Sequence, residues 1–390
     1  MIGLSWGGWD VRVYAVQAWL GLAPRFAEQE PHIADMIERM AADPAPQVRA
    51  QVASDLQVLC KADPERMWRI AETFASDESN SDVVAAFLIR SLHRILRNDF
   101  TRAERLIETV RARQPFGKKD PQRSRDNIQW AVGLLAAQLY VGDGRPLARD
   151  WIGEWAADIT GFADSLHSVT TSLRECLFAR YSAEAEEQDR LLSDRAQECL
   201  TFIIRHSIEV ARDARAVFAS KDATEEEKAG AGERYKEAES LVHLAGNQLY
   251  FGSGAYDNSD RAPGLQTEEA RRAFLDDYAE LLGLLARSHE PGTHHHLLEL
   301  YEYLVPANPA LVLGAMHALL TGRAAAEGYQ YESLGLTVVV RIVRRFLADH
   351  RSLFDDPEQR QRLSDMLTLF SDEGWPEALQ LLYDLPDLLR

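Results

Sequence analysis

The residues of this sequence best suited to chemistry are three consecutive histidines, His294, His295 and His296, in the segment GTHHHLLELYEYL. Imidazole nitrogens bind zinc and act as general acids and bases. Consecutive residues of a helix point about 100° apart, so three adjacent rings cannot converge on one metal ion. Leu300, four residues after the last histidine, is not a ligand. We therefore expect a solvated first helical turn and no metal site.

Other signatures of catalysis are missing from the sequence. It has no nucleophile elbow, P-loop or dinucleotide fingerprint, and the GSG at 252–254 has no strand before it. Cys60, Cys176 and Cys199 lie far apart and form no CxxC pair, which favours core positions in a reducing cytoplasm. We therefore expect no catalytic residue, no cofactor and no enzymatic activity.

A basic segment is the most distinctive charge feature. Between residues 90 and 125 the chain carries eleven Lys or Arg residues against four Asp or Glu residues, although its formal net charge is −18. Cations clustered in this way bind acidic surfaces or phosphates. The candidate partner-binding residues are Arg90, Arg94, Arg97, Arg111, Arg113, Lys118, Lys119, Arg123 and Arg125.

The overall acidity of the chain limits the classes of partner that it can bind. A net charge of −18 repels nucleic acid unless the basic segment overrides the global field. The sequence has no apolar stretch long enough for a membrane span and no signal peptide. We expect a cytoplasmic protein with a protein partner and no membrane association, while nucleic-acid binding through 90–125 stays open as the alternative.

Helices must position these residues, because strand signals are almost absent. Asp43-Pro44, Asp63-Pro64 and Asn308-Pro309 each offer a capping oxygen followed by a proline, which is typical of a helix start. Thr224, three residues before Glu227, matches a capping box.

Four apolar stripes indicate a repeat. Each has the spacing 4, 4, 3 of one helix face, and successive stripes are separated by 37, 36 and 44 residues, with room for a second helix between them. The stripes are Val11, Ala15, Trp19, Leu22; Val48, Val52, Leu56, Leu59; Val84, Leu88, Leu92, Ile95; and Ile128, Val132, Ala136, Leu139.

The residues Asp43-Pro44 followed by Val48-Arg49 resemble the first helix of a HEAT repeat, and the resemblance covers residues 1–141. In the third and fourth stripes the positions equivalent to Arg49 are occupied by Ala85 and Gln129, which depart from the HEAT pattern. The resemblance implies an all-α fold, an α-solenoid of HEAT-like antiparallel helix pairs, in which each pair contacts its neighbours and leaves a ridged surface free for a partner.

Beyond residue 145 helices continue with a blurred period. The sequence predicts a long polar hairpin at 186–250, a loop at 251–266 rich in Gly, Ser, Asp and Pro, and a C-terminal helical lobe at 267–390. The expected division is therefore a solenoid at 1–250 that includes a projecting hairpin, then the loop, then the lobe.

The last segment, with FLADHR, GWPEA and LLY, resembles the helical tails of large bacterial NTPase and effector proteins of anti-phage defence. This resemblance implies a sensor or scaffold region of a larger protein. We expect a non-catalytic interaction module that binds a protein partner or another domain. The alternatives are nucleic-acid binding and a hydrolase or glycosylase, which would need a pocket with a coupled carboxylate or histidine pair.

Overall fold

All regular secondary structure in the described part of the chain is helical, and none of the described residues lies in a β-strand. The all-α fold class predicted from the sequence is therefore confirmed. Within this part no helix combines the length and apolar character needed to cross a lipid bilayer. The computed structural model describes residues 11–113, 126–256, 265–324, 333–372 and 374–388.

The chain divides into two compact units, Met1–Val169 and Thr170–Arg390. This division does not coincide with the boundary predicted at 251–266, which lies inside the second unit. The helices that begin in the first unit are α1 Val11–Phe26, α2 His32–Ala41, α3 Pro46–Asp55, α4 Pro64–Ser76, α5 Ser81–Ala86, α6 His93–Ile95, α7 Phe100–Arg113, α8 Asn127–Ala137, α9 Pro146–Ala157 and α10 Ala163–Ser172.

Side-chain caps explain several helix starts. Asp63 and Asn308 each accept a hydrogen bond from the backbone N–H three residues later, as their sequence patterns predict. Asp43 behaves differently, because its carboxylate accepts from the N–H only two residues later. This turn delays the helix, which begins at Pro46 and not at the predicted Pro44.

Helices of the first unit pack on helices one pair away along the chain. α1 packs on α3, α3 on α5, and α5 on α8, while α2 packs on α4 and α4 on α7. Two equivalent ion pairs connect neighbouring pairs. Arg12 reaches Asp43 at 3.1 Å, and Arg49, the residue 37 positions later in the predicted register, reaches Glu78 at 2.7 Å.

The predicted stripes of α3, α5 with the turns that follow it, and α8 are buried throughout. The first stripe is wrong as a core face, because Val11 is 78% exposed and Leu22 is 41% exposed. α1 buries Val13, Val16 and Leu20 instead. The described helices that pack on α1 are α2 and α3, and the face that α1 buries is offset from the predicted stripe.

The second unit contains the long hairpin and the C-terminal helices. α13 packs on α16, α16 on α17, α17 on α19, and α19 on α20. Its helices are α11 Arg174–Phe178, α12 Glu187–Ala219, α13 Glu225–Ser253, α14 Glu268–Asp277, α15 Ala279–Leu285, α16 Pro291–Leu304, α17 Pro309–Leu319, α18 Ser333–Asp349, α19 Pro357–Asp372 and α20 Pro376–Leu388.

The hairpin predicted at 186–250 corresponds to α12 and α13, which pack along each other on either side of a short connection at 220–224. The predicted capping box starts the second helix: the Thr224 hydroxyl accepts from the Glu227 N–H at 3.2 Å, and the Glu227 carboxylate accepts from the Thr224 N–H at 2.7 Å. The projection of this hairpin from the molecule stays a prediction.

Candidate functional site

The structure places much of the predicted basic segment in internal contacts. Arg97 reaches Asp143 at 3.0 Å. Arg111 reaches Glu154 at 2.6 Å, and its guanidinium lies over the rings of Trp151 and Trp155, 5.2 and 5.6 Å from their centroids. This guanidinium therefore serves packing within the first unit and is not free for a partner.

Arg113 is also used internally, since its guanidinium donates to the backbone carbonyls of Ala75 at 2.5 Å and Glu78 at 2.8 Å. Arg90 and Arg94 are exposed at the surface. The remaining predicted residues, Lys118, Lys119, Arg123 and Arg125, lie outside the described residues. Of the nine predicted residues, Arg90 and Arg94 are thus exposed arginines for which the described part of the chain shows no ion pair.

A groove in the second unit could hold a ligand. Its volume is about 1160 Å³, and three chain segments line it: the end of α11 with the loop to residue 184, the end of α13 at 251–256, and the start of α14 at 266–270. Small-molecule and peptide binding sites are typically clefts of a few hundred to about a thousand Å³ that combine apolar walls with a few polar groups. We call this feature the aromatic groove.

Aromatic rings form its walls. Phe178 and Tyr181 come from the first of the lining segments, and Phe251 and Tyr256 come from the second. Tyr256 is 47% exposed. The rings of Phe251 and Tyr256 are 5.6 Å apart, so a ligand entering the groove would meet ring faces and edges on both sides.

A buried aromatic cluster holds the first wall in place. Phe178 stacks on Phe274 with centroids 5.5 Å apart, and Phe274 stacks on Tyr278 at 4.5 Å. The Tyr278 hydroxyl donates to the Leu177 carbonyl at 2.8 Å. Tyr181 donates its hydroxyl to an Asp277 carboxylate oxygen at 2.8 Å. Burial raises the pKa of Tyr181, so this phenol stays a neutral donor.

The two walls meet at Gly252. A Cβ atom at this position would lie 2.7 Å from Cδ2 of Phe178 and 3.3 Å from Cγ of Arg174. Only glycine allows the end of α13 to approach α11 this closely. Glycine at 252 therefore permits this close approach beside the groove, which is a different role from that of a glycine in a phosphate-binding loop.

The charges around the groove are mostly acidic. Glu175 and Glu184 are exposed on its lining, and Glu268 and Glu269 occupy the adjoining first turn of α14. Among the described lining residues the arginine is Arg174, and it is engaged: its Nε donates to Gln248 at 3.1 Å, and its guanidinium lies 5.4 Å from the Phe251 ring centroid.

The prediction of a solvated first turn is wrong for His294, which is buried, while His295 and His296 are half-buried. α16 begins at Pro291, so the histidines lie past its first residues. His294 is fully buried, and its Nε2 lies 2.9 Å from the Ser288 carbonyl. The first turn faces α13, and contact with this neighbouring helix keeps water away from the ring.

His296 forms a three-ring stack. Its ring lies 4.4 Å from Tyr250 and 5.7 Å from His243, at interplanar angles of 7° and 21°. Tyr250 and His243 are seven residues apart on α13, a rise of about 10.5 Å, so His296 lies between them. The buried Nδ1 of His296 has no hydrogen-bond partner among the described residues. We call these three residues the histidine stack.

A coupled carboxylate–histidine pair lies farther along the same helix interface. Glu239 accepts hydrogen bonds from the Ser288 hydroxyl at 2.6 Å and from the His289 N–H, and its Oε1 is 3.2 Å from His289 Nδ1. Burial raises the pKa of Glu239, but the hydrogen bonds from His289 and Ser288 outweigh it and hold the pKa below its usual value. Ser288 is fully buried and donates to a carboxylate, so it is not arranged as an activated nucleophile.

No group of three or more His, Cys, Asp or Glu side chains in the described ranges is arranged to hold a metal ion. Comparison with known proteins adds nothing to this picture. No protein-family model, no curated protein and no solved structure matches this chain. What the protein does must therefore be argued from its own residues.

Sequence reasoning missed the aromatic groove and the histidine stack. The groove joins segments up to 96 positions apart, such as Arg174 and Ala270, and no local pattern reports that proximity. A signal for the stack was present, because Tyr250 and His243 share one helix face at a spacing of seven.

Proposed function

We propose that this protein is a non-catalytic interaction module whose aromatic groove binds an extended, basic segment of a protein partner or of another domain of a larger protein. The observation that carries the proposal is the groove itself, with about 1160 Å³ of space, aromatic walls and exposed carboxylates. Aromatic-lined grooves favour extended peptides, and ring faces attract lysine and arginine.

Charge favours a basic occupant over an acidic one. Glu175 and Glu184 face the groove, whereas Arg174 is already held by Gln248 and Phe251. The net charge of −18 steers basic partners toward the protein at long range. A peptide rich in arginine and proline suits both features, because its arginines meet carboxylates and rings while its prolines keep it extended.

We also propose that the first unit is a HEAT-like solenoid. Supporting this, helices contact counterparts one pair away, and the equivalent ion pairs Arg12–Asp43 and Arg49–Glu78 bridge 31 and 29 residues. Contacts restricted to neighbouring pairs are typical of solenoids. The resemblance of the last segment to anti-phage defence proteins makes a larger bacterial protein the proposed setting.

The test is direct binding to the full chain. A fluorescein-labelled peptide that alternates arginine and proline is titrated with protein at low salt, and fluorescence anisotropy is measured. We expect saturable binding that Tyr256→Ala and Glu184→Gln each weaken about five- to tenfold, equivalent to about 1–1.4 kcal/mol. The same peptide with glutamate in place of arginine should not bind.

Matched controls are available elsewhere on the surface. Tyr383, on α20, is 85% exposed, and Glu226, on α13, is an exposed carboxylate. Tyr383→Ala and Glu226→Gln should bind the peptide as the wild type does. Equal losses in the groove and control variants, or no saturable binding at low salt, would contradict the proposal.

Nucleic-acid binding is the second candidate, and the exposure of Arg90 and Arg94 favours it. Arg111 and Arg113 should not be changed to test it, because both hold the first unit together. If single-stranded or duplex DNA binds at low salt and Arg90→Glu with Arg94→Glu abolishes binding, the basic residues prevail over the net charge. Absence of a shift at low salt excludes this candidate.

A further inference from the structure

The histidine stack touches the aromatic groove through one residue. The ring of Phe251, which lines the groove, lies 5.9 Å from His296 in an edge-on contact and 5.0 Å from Tyr250. On its other side Phe251 contacts Tyr256 at 5.6 Å and the guanidinium of Arg174 at 5.4 Å. Direct ring contacts therefore connect the stack to the groove wall.

We propose that the histidine stack is a pH-sensitive support of the groove: protonation of His296 loosens α16 from α13 and displaces the wall formed by Phe251 and Tyr256. The support itself depends only on the packing of these helices. Its consequence for peptide binding rests on the proposed function.

The geometry opposes a charge on His296. Both faces of its ring are covered by Tyr250 and His243, so an imidazolium would lose hydration on both sides. Its buried Nδ1 would gain a proton with no acceptor among the described residues. A neutral ring avoids both costs, because its Nδ1 then carries no proton that needs an acceptor.

The charged and titratable groups around the stack come from three helices. His243 and His295 disfavour a second positive charge, and Glu299 favours it. Glu299 is itself engaged, with Arg341 at 3.8 Å and His295 at 3.8 Å. The groups that act on His296 or Tyr250 are His243 on α13, His295, Glu299 and Glu302 on α16, and Arg341 on α18. Of the other titratable groups on these helices, Glu239 pairs with His289, and His294 lies against the Ser288 carbonyl.

The net effect has a defined sign. Burial lowers the pKa of His296, the two neighbouring histidines lower it further, and Glu299 only partly offsets them. The unfolded chain therefore binds a proton on this ring more readily than the folded chain does. The stabilisation from the neutral stack is complete above the ordinary pKa of about 6.5 and is lost as the pH falls below it.

The test is hydrogen exchange measured by mass spectrometry on the full chain at about pH 7.5 and about pH 5.5, on either side of the ordinary histidine pKa. Rates are corrected for the intrinsic pH dependence of exchange. We expect protection of 250–256 and 291–304 to fall about tenfold on acidification in the wild type, and His296→Phe to keep its protection because phenylalanine preserves the stack without titrating.

The control is His206→Phe, which changes a half-buried histidine of α12 outside the stack and should respond to acid as the wild type does. Unchanged protection in the wild type at the lower pH, or an equal fall in His296→Phe, would overturn the inference. If His296→Phe does not fold, an NMR titration of the wild-type imidazoles decides: a His296 midpoint below the ordinary value supports the inference, and a midpoint at or above it overturns it.

This experiment separates the two proposals because it uses no ligand. An acid-induced loss of protection with no binding of the arginine–proline peptide would sustain the pH-sensitive support and reject the proposed function. Peptide binding together with acid-insensitive exchange would sustain the proposed function and reject the pH-sensitive support.

Discussion

Two ion pairs at equivalent positions of the first unit should differ in strength because they differ in burial. Arg49 and Glu78 side chains are 17% and 4% exposed, and Arg49 donates to both carboxylate oxygens at 2.7 and 2.8 Å. The Arg12 side chain is 48% exposed. Buried pairs couple by about 2–3 kcal/mol, whereas exposed pairs couple by about 0.2–1 kcal/mol.

Double-mutant cycles measure both couplings. One cycle uses Arg49→Met and Glu78→Gln, and the other uses Arg12→Met and Asp43→Asn. The amides keep an acceptor for the backbone N–H groups that these carboxylates also bind. Urea unfolding followed by tryptophan fluorescence is suitable, because seven of the eight tryptophans precede residue 170. Couplings that are equal within error, or a larger one for Arg12, would refute the argument from burial.

The same pair predicts a pH dependence. Burial raises the pKa of Glu78, but hydrogen bonds from Arg49 and from the backbone N–H groups of Asn80 and Ser79 outweigh it, so the pKa is lower than usual. The stabilisation is therefore present above the ordinary value of 4.5 and is lost as the pH falls through the lower folded-state pKa. The stability difference between wild type and Glu78→Gln should shrink below that pH, and a difference independent of pH would contradict this reasoning.

Three further predictions concern single positions. Gly252→Ala should destabilise the protein by about 1–3 kcal/mol in urea unfolding followed by circular dichroism, because the new Cβ would lie 2.7 Å from Cδ2 of the Phe178 ring. Gly283→Ala, where a new Cβ has no atom within 4 Å, should not destabilise it, and equal effects of the two variants would contradict this reasoning. Gly374→Ala should cost about 1–2 kcal/mol, because its φ is +82°, and an unchanged unfolding midpoint would oppose it. Burial raises the pKa of Cys199 to about 12, so iodoacetamide should leave it unmodified until the chain unfolds, and modification of the native protein detected by mass spectrometry would oppose this.

Helix positions could be predicted from the sequence because they depend on local rules. The stripe from Val48 to Leu59 is buried as the spacing requires, and the predicted caps at Asp63 and Asn308 form. Val11 has the same spacing but is 78% exposed. Spacing identifies a face of a helix, whereas burial depends on whether another helix covers that face.

The candidate sites could not be predicted because they depend on tertiary proximity. Counting charges between 90 and 125 does not reveal that Arg111 lies against Trp151 and Trp155, 40 and 44 positions later. Three adjacent histidines suggest a polar surface, yet His294 is fully buried where α16 packs on α13, and the Ser288 carbonyl accepts its ring N–H. Contacts between residues distant in the chain decide both cases.

The sequence separations of the contacts have a consequence for synthesis on the ribosome. In the first unit Arg12 meets Asp43 and Arg49 meets Glu78 across 31 and 29 residues, so each helix pair can consolidate as soon as the following pair has emerged. The groove wall must wait much longer, since Leu177 receives its hydrogen bond from Tyr278, 101 residues later. During translation the first unit can therefore fold early, while the aromatic rings of the groove remain exposed to chaperones for longer.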